Sequence, residues 1–515
     1  MKTLRQVIII SFVIILTSGL QAQYNNRYDE FVDIEIDTII TQIQPMTGIV
    51  FWQDQHQSQI QEVTSLEFSY MLFNDVVVDS GDYNWDIVES KLDDIASRQH
   101  QAIFRFRYTY VGRETSVPYY IKQLDDYHET EGMSEGQLTW FPDWTNAELQ
   151  RFSLEFYTKF AERYDNDPRL AFIQVGFGLW AEYHIYDGPF ELGVTFPSKE
   201  FQISFFNHLD TTLIVTPFSI SIDAADDTYS PFSQDEELYD INFGLFDDSF
   251  MHQNHSGYNT ECWNFFGRNR YEYNPAGGEF SYYSSYDQQH VLDWPDGPYG
   301  LPYEYFAEDF HISYIIGNGQ SQYQTANRIK KAGIASGYKF KIVSFEASAD
   351  SSVIVIKNSG VAPIYYDAYV TVNGIRSTIS LIYLQPNETI ECSVSAGGEN
   401  PTLTIESDRL VPGQTIGYLG TVNYASIEDN ISEKNIAKVY PTILKRGSEI
   451  IIQKQNINSN SINIEVIASN GNIVQRLNAV NNSLLINTSK LSSGYYIIRI
   501  SDNEQKSQSQ KVIIL

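Results

Sequence analysis

Residues 171–184 have the sequence AFIQVGFGLWAEYH, in which a short apolar run passes directly into a glycine-rich segment with a single glutamate. The run Ala171–Val175 is typical of a buried β-strand. The preceding segment, Asn146–Asp165, has apolar residues spaced mostly three and four apart, which predicts an amphipathic helix with Thr145 as its N-cap. A helix that leads into a buried strand is the repeating unit of α/β folds.

The same alternation of apolar runs and amphipathic segments extends from residue 30 to residue 340, with a second helix predicted over Asp86–Arg98. The predicted strands are Gly48–Trp52, Leu66–Phe73, Ala102–Phe106, Ala171–Val175, Leu213–Phe218, Ile241–Phe246, Glu272–Ala276 and Phe310–Ile315. This number of strands over about 300 residues fits a (β/α)₈ barrel, a TIM-like fold of the α/β class. A doubly wound open sheet is the alternative, but no glycine-rich phosphate loop follows the first strand.

The composition restricts the kinds of partner. The chain has 515 residues, with 34 Lys and Arg against 65 Asp and Glu and a formal net charge of −31. Such an acidic chain is not expected to bind nucleic acid, since phosphate contacts need clustered positive charge. The two cysteines, Cys262 and Cys392, are too few for a disulfide scaffold or a cysteine-rich zinc module, and whether they pair stays open.

The N-terminus has the features of an export signal. In Met1–Ala22, Lys2 and Arg5 precede the apolar run Val7–Leu16, and small or polar residues follow. The apolar run is too short to cross a bilayer, which takes about 20 residues of helix. We therefore predict a signal peptide over residues 1–22 and a mature chain with no membrane span.

Two smaller all-β units are predicted to follow the barrel. Residues 341–426 contain alternating runs such as Val353-Ile354-Val355-Ile356 and a turn signal at Asn373-Gly374, which predict an antiparallel β-sandwich. We favour a supporting role over sugar binding for this sandwich. Residues 427–435 are mostly polar and are predicted to be a linker.

The last predicted unit, residues 436–515, differs in charge from the rest. From Lys434 to Leu515 there are ten Lys and Arg and four Asp and Glu, a net of +6, so the preceding residues carry −31 − 6 = −37. The motifs Val439-Tyr440-Pro441, Ile464–Gly471 and Leu491–Ile500 occur here in order. This segment resembles the C-terminal sorting domain of the type IX secretion system, an Ig-like β-sandwich of Bacteroidota. The resemblance implies secretion or cell-surface localisation and contact with the type IX machinery.

Two glutamates carry the predicted chemistry. Glu182 follows the fourth predicted strand, and Glu279 follows the seventh after Gly277-Gly278. Barrel enzymes place reactive groups at the carboxyl ends of strands, and glycoside cleavage needs two carboxyls, about 5–5.5 Å apart for retention or 6.5–9.5 Å for inversion. Glu182 is predicted to be the general acid, because its aromatic neighbours would raise its pKa. Glu279 is then the nucleophile, or the base that activates water.

Further residues are candidates for substrate binding: Arg105, Arg107, Trp180, His184, Asp247 and Trp263. Arg105 and Arg107 alternate at the end of the third strand, so both are expected to point to one side, where they could hold a substrate oxygen. The histidines and aspartates after the sixth strand lack a tight ligand spacing such as His-Glu-x-x-His. We therefore predict neither a metal nor a cofactor.

A second resemblance rests on motifs that recur in order along the barrel. They are Gly81–Asp86, Ala102–Arg107, Arg163–Arg169, Gly176–Glu182, Gly277-Gly278-Glu279 and Ala335–Phe340. Over Gly48–Asn423 the chain resembles a family of exported bacterial proteins of unknown function, glycoside-hydrolase-like barrels with an appended β-sandwich. This chain departs from that family at Ala181 and Tyr183, where the family has Gly and Trp. Ala181 also stands where retaining barrel hydrolases usually carry Asn.

These observations predict a secreted glycoside hydrolase that acts on a polysaccharide or oligosaccharide. The alternative is a non-catalytic glycan-binding or cell-surface adhesion protein on a barrel scaffold. A polysaccharide lyase is a third possibility, with Arg107 and His184 as its charge-neutralising group and base. Two carboxyls that approach closely in an open groove favour the hydrolase, whereas a glutamate held in an ion pair under a loop favours the binding protein.

Overall fold

The structure is a computed structural model. It describes residues 31–55, 61–298, 300–317, 319–421, 437–440, 443–454, 461–468, 472–479, 483–502 and 507–514. The predicted signal peptide over residues 1–22 and the predicted linker over residues 427–435 lie outside the described residues.

Eight parallel strands close into a barrel, which confirms the predicted fold class. The strands are β1 (Gly48–Trp52), β2 (Leu66–Leu72), β3 (Gln101–Arg107), β4 (Leu170–Val175), β5 (Phe218–Ser221), β6 (Gly244–Phe250), β7 (Ala276–Phe280) and β8 (Ile312–Ile316). Each pairs with its neighbours in chain order, and β8 pairs with β1 to close the barrel.

Helices connect most of the strands on the outside of the barrel. The longer ones are α1 (Asp86–Ser97), α2 (Ala147–Tyr164), α3 (Lys199–Thr212), α4 (Ser256–Phe265), α5 (Ser285–His290), α6 (Tyr303–Asp309) and α7 (Ala326–Ala335). In α2 the apolar face, which includes Phe152, Phe156 and Phe160, is buried against the barrel. The N-cap of α2 is Asn146 and not the predicted Thr145, because the Asn146 side chain accepts from the Leu149 N–H at 3.0 Å.

Four strands begin later than the sequence predicts. The segments predicted as Leu213–Phe218, Ile241–Phe246, Glu272–Ala276 and Phe310–Ile315 are observed as β5, β6, β7 and β8. The apolar residues before β5 form a turn, since the N–H groups of Ile214 and Thr216 donate to the Asp165 carboxylate at 3.1 and 2.8 Å. The shift places Asp247 and Glu279 within strands instead of after them.

A small sandwich is joined to the barrel. One sheet contains the three strands Phe340–Ala347, Ser352–Asn358 and Thr389–Val394. Two short strands, Val32–Asp33 and Tyr418–Leu419, both pair with Phe340–Ala347. The other contains Tyr369–Val372, Ile375–Ser380 and Leu403–Glu406. One hydrophobic cluster runs through both units, from Phe68 and Phe172 in the barrel to Tyr366 and Ile405 in the sandwich. The segment before the barrel therefore adds to the sandwich sheet, and the two units share a core.

The C-terminal unit has its own core. One sheet contains Ala437–Tyr440, Glu449–Lys454 and Ser483–Asn487. The other contains Ile443–Leu444, Ile462–Ala468, Ile473–Ala479, Gly494–Asp502 and Ser507–Ile514. The apolar residues between the two sheets form a separate cluster. Cys262 and Cys392, whose pairing the sequence left open, are both free and buried.

Candidate functional site

The segment after β4 folds back on itself and places Glu182 at the mouth of the barrel. The N–H groups of Phe177 and Gly178 donate to the Glu182 carbonyl at 3.0 and 2.9 Å. A side chain at Gly178 would overlap the backbone of His184, so only glycine permits this approach. Trp180 and Ala181 complete the turn in the left-handed region, with φ values of +58° and +56°. Ala181 stands where the barrel family that this chain resembles has glycine, and its positive φ is a backbone conformation that favours glycine.

Glu182 lies buried between a cation and a second carboxyl. Its Oε1 lies 3.3 Å from Nη1 of Arg105, and its carboxyl is hydrogen-bonded to that of Asp248. Burial and the charge of Asp248 raise the pKa of Glu182 well above its usual range, while Arg105 opposes the shift. Burial and the neighbouring carboxyl therefore both favour the protonated form of Glu182.

Arg105 organises the interior beneath this pair. Its guanidinium is fully buried and donates to Oε1 of Gln174 at 2.9 and 2.6 Å, and to the Trp180 carbonyl at 3.1 Å. It also lies 4.3 Å from the centre of the Phe246 ring. Arg105 therefore points into the barrel, and its charge lies close enough to Glu182 and Glu279 to lower both pKa values, while contact of Arg105 with substrate stays a prediction.

Glu279 reaches the same interior from β7. A side chain at Gly277 would overlap the ring of Tyr314, so glycine leaves room for that ring inside the barrel. Glu279 lies two residues further along and therefore points to the same side. Burial raises the pKa of Glu279 to about 7, with Arg105 lowering and Asp248 raising it. Glu279 thus loses its proton near neutrality.

His184 connects the mouth to β5. Its Nδ1 lies 2.7 Å from Oδ2 of Asp223, and its Nε2 lies 3.6 Å from Oε2 of Glu182. Burial alone would lower the pKa of His184, but the charge of Asp223 raises it overall. Nε2 is buried and has no hydrogen-bond partner within the described residues. His184 can therefore donate from this nitrogen to Glu182 or to a bound ligand.

Four side chains at the mouth also form a possible cation site. Ligand atoms of Glu182, His184, Asp223 and Asp248 all lie within 4.8 Å of one another. Carboxylate oxygens and an imidazole nitrogen can bind a divalent cation, with softer metals favoured by the imidazole. The sequence did not predict this set, because the residues come from three different strand ends and have no motif spacing.

Seven of the eight predicted site residues fall into two groups, and the guanidinium of the eighth, Arg107, lies 4.5 Å from the centre of the Tyr110 ring. The structure brings together Glu182, Glu279, Arg105, His184 and the backbone of Trp180. Asp247 and Trp263 instead contact each other, since Nε1 of Trp263 donates to Asp247 at 3.1 Å. Asn259 donates to the same carboxyl at 2.8 Å. These contacts hold β6 against α4, and a role for Asp247 and Trp263 in substrate binding stays a prediction.

The list of predicted site residues omitted Asp248, Asp223, Gln174 and Tyr70. Asp248 could have been found from strand alternation, because Phe246 packs on Arg105 inside the barrel and the residue two positions later faces the same way. Gln174 is the one polar residue in the apolar run of β4, which is also a signal. Nothing local to Asp223 indicates its pairing with His184.

Comparisons with known proteins concern the C-terminal unit and larger parts of the chain. Residues 438–515 match the family described as the secretion system C-terminal sorting domain. The apo structure of Bacteroides uniformis β-glucuronidase 3 is similar at 8% sequence identity and a TM-score of 0.29, and covers 91% of this chain and 62% of the glucuronidase. The adhesin InvE of Yersinia pseudotuberculosis is similar at 11% identity and a TM-score of 0.12, covering 33% of this chain and 55% of the adhesin. No curated protein matches the chain.

The match at the C-terminus confirms the predicted type IX sorting domain. Such a domain indicates that the protein is secreted and attached to the cell surface, and it implies contact with the secretion machinery. Among the helices that the structure describes, none combines the length and apolar character that a membrane crossing needs.

Proposed function

We propose that the protein is a secreted glycoside hydrolase that cleaves a polysaccharide or oligosaccharide. The observation that carries this proposal is the pair of buried carboxyls, Glu182 after β4 and Glu279 on β7, which lie close to the same guanidinium of Arg105. Burial raises the pKa of both groups, and only Glu182 is hydrogen-bonded to a further carboxyl, that of Asp248. Two carboxyls in different surroundings can divide into an acid and a base.

The roles follow from the surroundings of each carboxyl. Glu182 donates its proton to the glycosidic oxygen, and Asp248 keeps that proton in place beforehand by hydrogen bonding and like charge. Glu279, once ionised, attacks the anomeric carbon or takes a proton from the attacking water. Arg105 lies beside both carboxyls and stabilises the negative charge left on Glu182 after it donates.

Aromatic side chains at the mouth support a saccharide ligand. The rings of Trp180 and Tyr110 lie 4.6 Å apart at 76°, and Nε1 of Trp180 donates to the Tyr186 hydroxyl at 3.0 Å. Tyr283 is 66% exposed near the same groups. Aromatic faces with polar edges suit sugar rings, whose apolar faces stack while their hydroxyls form hydrogen bonds.

Release of reducing ends from a broad panel of polysaccharides and oligosaccharides tests the proposal. We expect Glu182→Gln and Glu279→Gln each to lose about a hundredfold or more in rate, because general acid and base groups contribute about that much. Glu406→Gln is the matched control, since Glu406 forms an exposed ion pair on the sandwich. The control should cleave like the wild type. Full activity in both barrel variants would contradict the assigned roles.

One observation favours a second candidate, a non-catalytic glycan-binding or adhesion protein. Glu182 is ion-paired with Arg105 at 3.3 Å, and its carbonyl accepts two hydrogen bonds that close the folded segment after β4. A carboxyl held in this way can be structural. Binding of a glycan from the same panel without any cleavage by the wild type would support this candidate over the hydrolase.

A further inference from the structure

Two arginines at the barrel mouth lack the partners that all the others have. Every other arginine among the described residues forms an ion pair or donates a hydrogen bond from its guanidinium, as Arg105 and Arg268 do. Among those residues, buried Nη1 of Arg107 has no hydrogen-bond partner, and neither Arg107 nor the exposed Arg113 forms an ion pair or donates a guanidinium hydrogen bond. In a chain with a net charge of −31, carboxylates are abundant, so two adjacent arginines without one are unexpected.

Arg107 faces the barrel mouth. It is the last residue of β3 and lies two positions after Arg105, so both side chains are directed to the barrel interior. Its guanidinium lies 4.5 Å from the centre of the Tyr110 ring, which in turn contacts Trp180. Arg107 and Glu279 both act on the pKa of Tyr110. Arg107 therefore lies beside the carboxyl site and one layer nearer to solvent than Arg105.

The guanidinium of Arg107 is poorly compensated in this position. Nη1 is buried and has no hydrogen-bond partner within the described residues. Burial lowers the pKa of Arg107, the tyrosines Tyr110 and Tyr70 oppose the shift, and the positive charge of Arg113 adds to it. A buried donor of an ionised group that is left unpaired carries a desolvation cost that nothing in the protein offsets. Such a cost is recovered when a ligand supplies the acceptor.

Arg113 is positioned to assist. The chain turns after β3, with the Arg113 N–H donating to the Tyr110 carbonyl at 3.1 Å, so both arginines flank the same tyrosine. Arg113 is exposed. Planar guanidinium groups bind carboxylates and sulfates through paired N–H donors, which single hydroxyls of neutral sugars do not match.

We propose that Arg107, with Arg113 beside it, binds an anionic substituent of the saccharide, either the carboxylate of a uronic acid or a sulfate ester. This inference rests on the proposed function for the saccharide, and it identifies the substrate as an acidic one. The acidic surface elsewhere repels such a ligand at long range, but screening limits that repulsion to about 8–10 Å at ordinary salt. The two arginines thus attract anions at the mouth, although the acidic surface as a whole repels them.

Binding of small probes to the full chain tests the proposal without knowledge of the glycan. Isothermal titration with D-glucuronate, D-glucose 6-sulfate and D-glucose, each up to about 10 mM, detects dissociation constants in the millimolar range. We expect at least one acidic probe to bind about tenfold more tightly than glucose. Comparison of glucuronate with glucose 6-sulfate shows whether the site binds a carboxylate or a sulfate ester. Equal binding of all three probes, or no binding of either acidic probe, would overturn the proposal.

Variants assign the binding to the two arginines. Arg107→Gln is expected to remove the preference for the acidic probe, and Arg113→Gln to weaken it by about threefold to tenfold, as expected for a lost charge-assisted hydrogen bond. Arg113 is exposed, so its variant keeps the test valid if Arg107→Gln fails to fold. Arg376→Gln is the matched control, since it removes an equal charge from the outer surface of the sandwich. A preference that survives in both mouth variants would disprove the assignment.

The outcome is separable from that of the proposed hydrolysis. Glu182→Gln and Glu279→Gln should retain the acidic preference, because neither glutamate contacts Arg107 within the described residues. Cleavage that depends on the glutamates but shows no acidic preference would leave the hydrolase standing and overturn the anion site. Binding of an acidic probe through Arg107 without any cleavage would leave the anion site standing and overturn the hydrolase.

Discussion

The proton on Glu279 couples the candidate chemistry to stability. Its folded pKa of about 7 lies above the usual value of 4.5, so the folded protein holds this proton where the unfolded chain has lost it. Below pH 4.5 the group is protonated in both states and costs nothing. As the pH rises from there to about 7, the free energy of unfolding falls, and above pH 7 the cost stays constant at on the order of 3 kcal/mol.

Glu279→Gln removes this titration, so we expect the variant to gain stability over the wild type as the pH rises from 5 to 8. Thermal melting at both pH values measures the difference. The comparison is between two pH values for each protein, which cancels the pH-independent effect of losing a charge near Arg105. Glu406→Gln, on the exposed sandwich surface, should show no such trend. A constant offset between the Glu279 variant and the wild type would contradict a raised pKa.

At the residue scale the sequence indicates Glu182 and Glu279 as candidates but not their neighbours, and the catalytic roles of both stay predictions. Each glutamate is a candidate because it stands beside glycines near a predicted strand end. Asp248 was passed over in favour of Asp247, since a shifted boundary of β6 hides which of two adjacent aspartates points inward. The contact of Asp223 with His184 could not be predicted, because it joins residues far apart in the chain.

At the scale of single elements, boundaries were predictable where polarity changes locally. β1 matches its prediction at both ends, because an apolar run there is flanked by polar or turn residues. The strand predicted over Leu213–Phe218 is wrong for all but its last residue, and the reason is physical. Its apolar residues are held in a turn by Asp165, a residue at the end of α2 that no local pattern connects to them.

The conformation of Ala181 in the turn after β4 leads to a prediction about stability. Ala181 adopts φ +56° and is fully buried, so a β-branched side chain there meets both a strained backbone and no free space. We expect Ala181→Val to lower the free energy of unfolding by about 2–4 kcal/mol. Because the turn positions Glu182, hydrolysis should fall as well. Urea unfolding and the cleavage assay measure the two effects.

Ala181→Gly is the matched variant for this turn. It relieves the left-handed strain but loses one buried methyl group, and these changes offset each other to within about 1 kcal/mol. Ala171→Gly in β4, where no left-handed strain is relieved, should only destabilise. If Ala181→Val were as stable as the wild type, the turn would not have the conformation described.

At the scale of the whole molecule, the barrel and the sandwich are coupled through buried contacts. Arg409 of the sandwich donates to the Leu170 carbonyl at the start of β4 at 2.7 Å, and its own carbonyl accepts from Gln101 at 2.7 Å. Its guanidinium also lies 4.4 Å from the ring of Tyr366. Together with the shared hydrophobic cluster, these contacts make the sandwich a part of the folded barrel. The sorting domain has a separate core.

We therefore expect calorimetry of the full chain to resolve two unfolding transitions, one for the barrel with the sandwich and one for the sorting domain. Arg409→Met keeps the volume but leaves buried carbonyls without donors, at about 1–3 kcal/mol. The variant should lower the first transition by about 1–4 °C and leave the second unchanged. Arg376→Met, on the exposed sandwich surface, should move neither by more than about 1 °C, since exposed ion pairs contribute little. Separate transitions for the barrel and the sandwich would contradict the coupling, because two units that share one core cannot unfold independently.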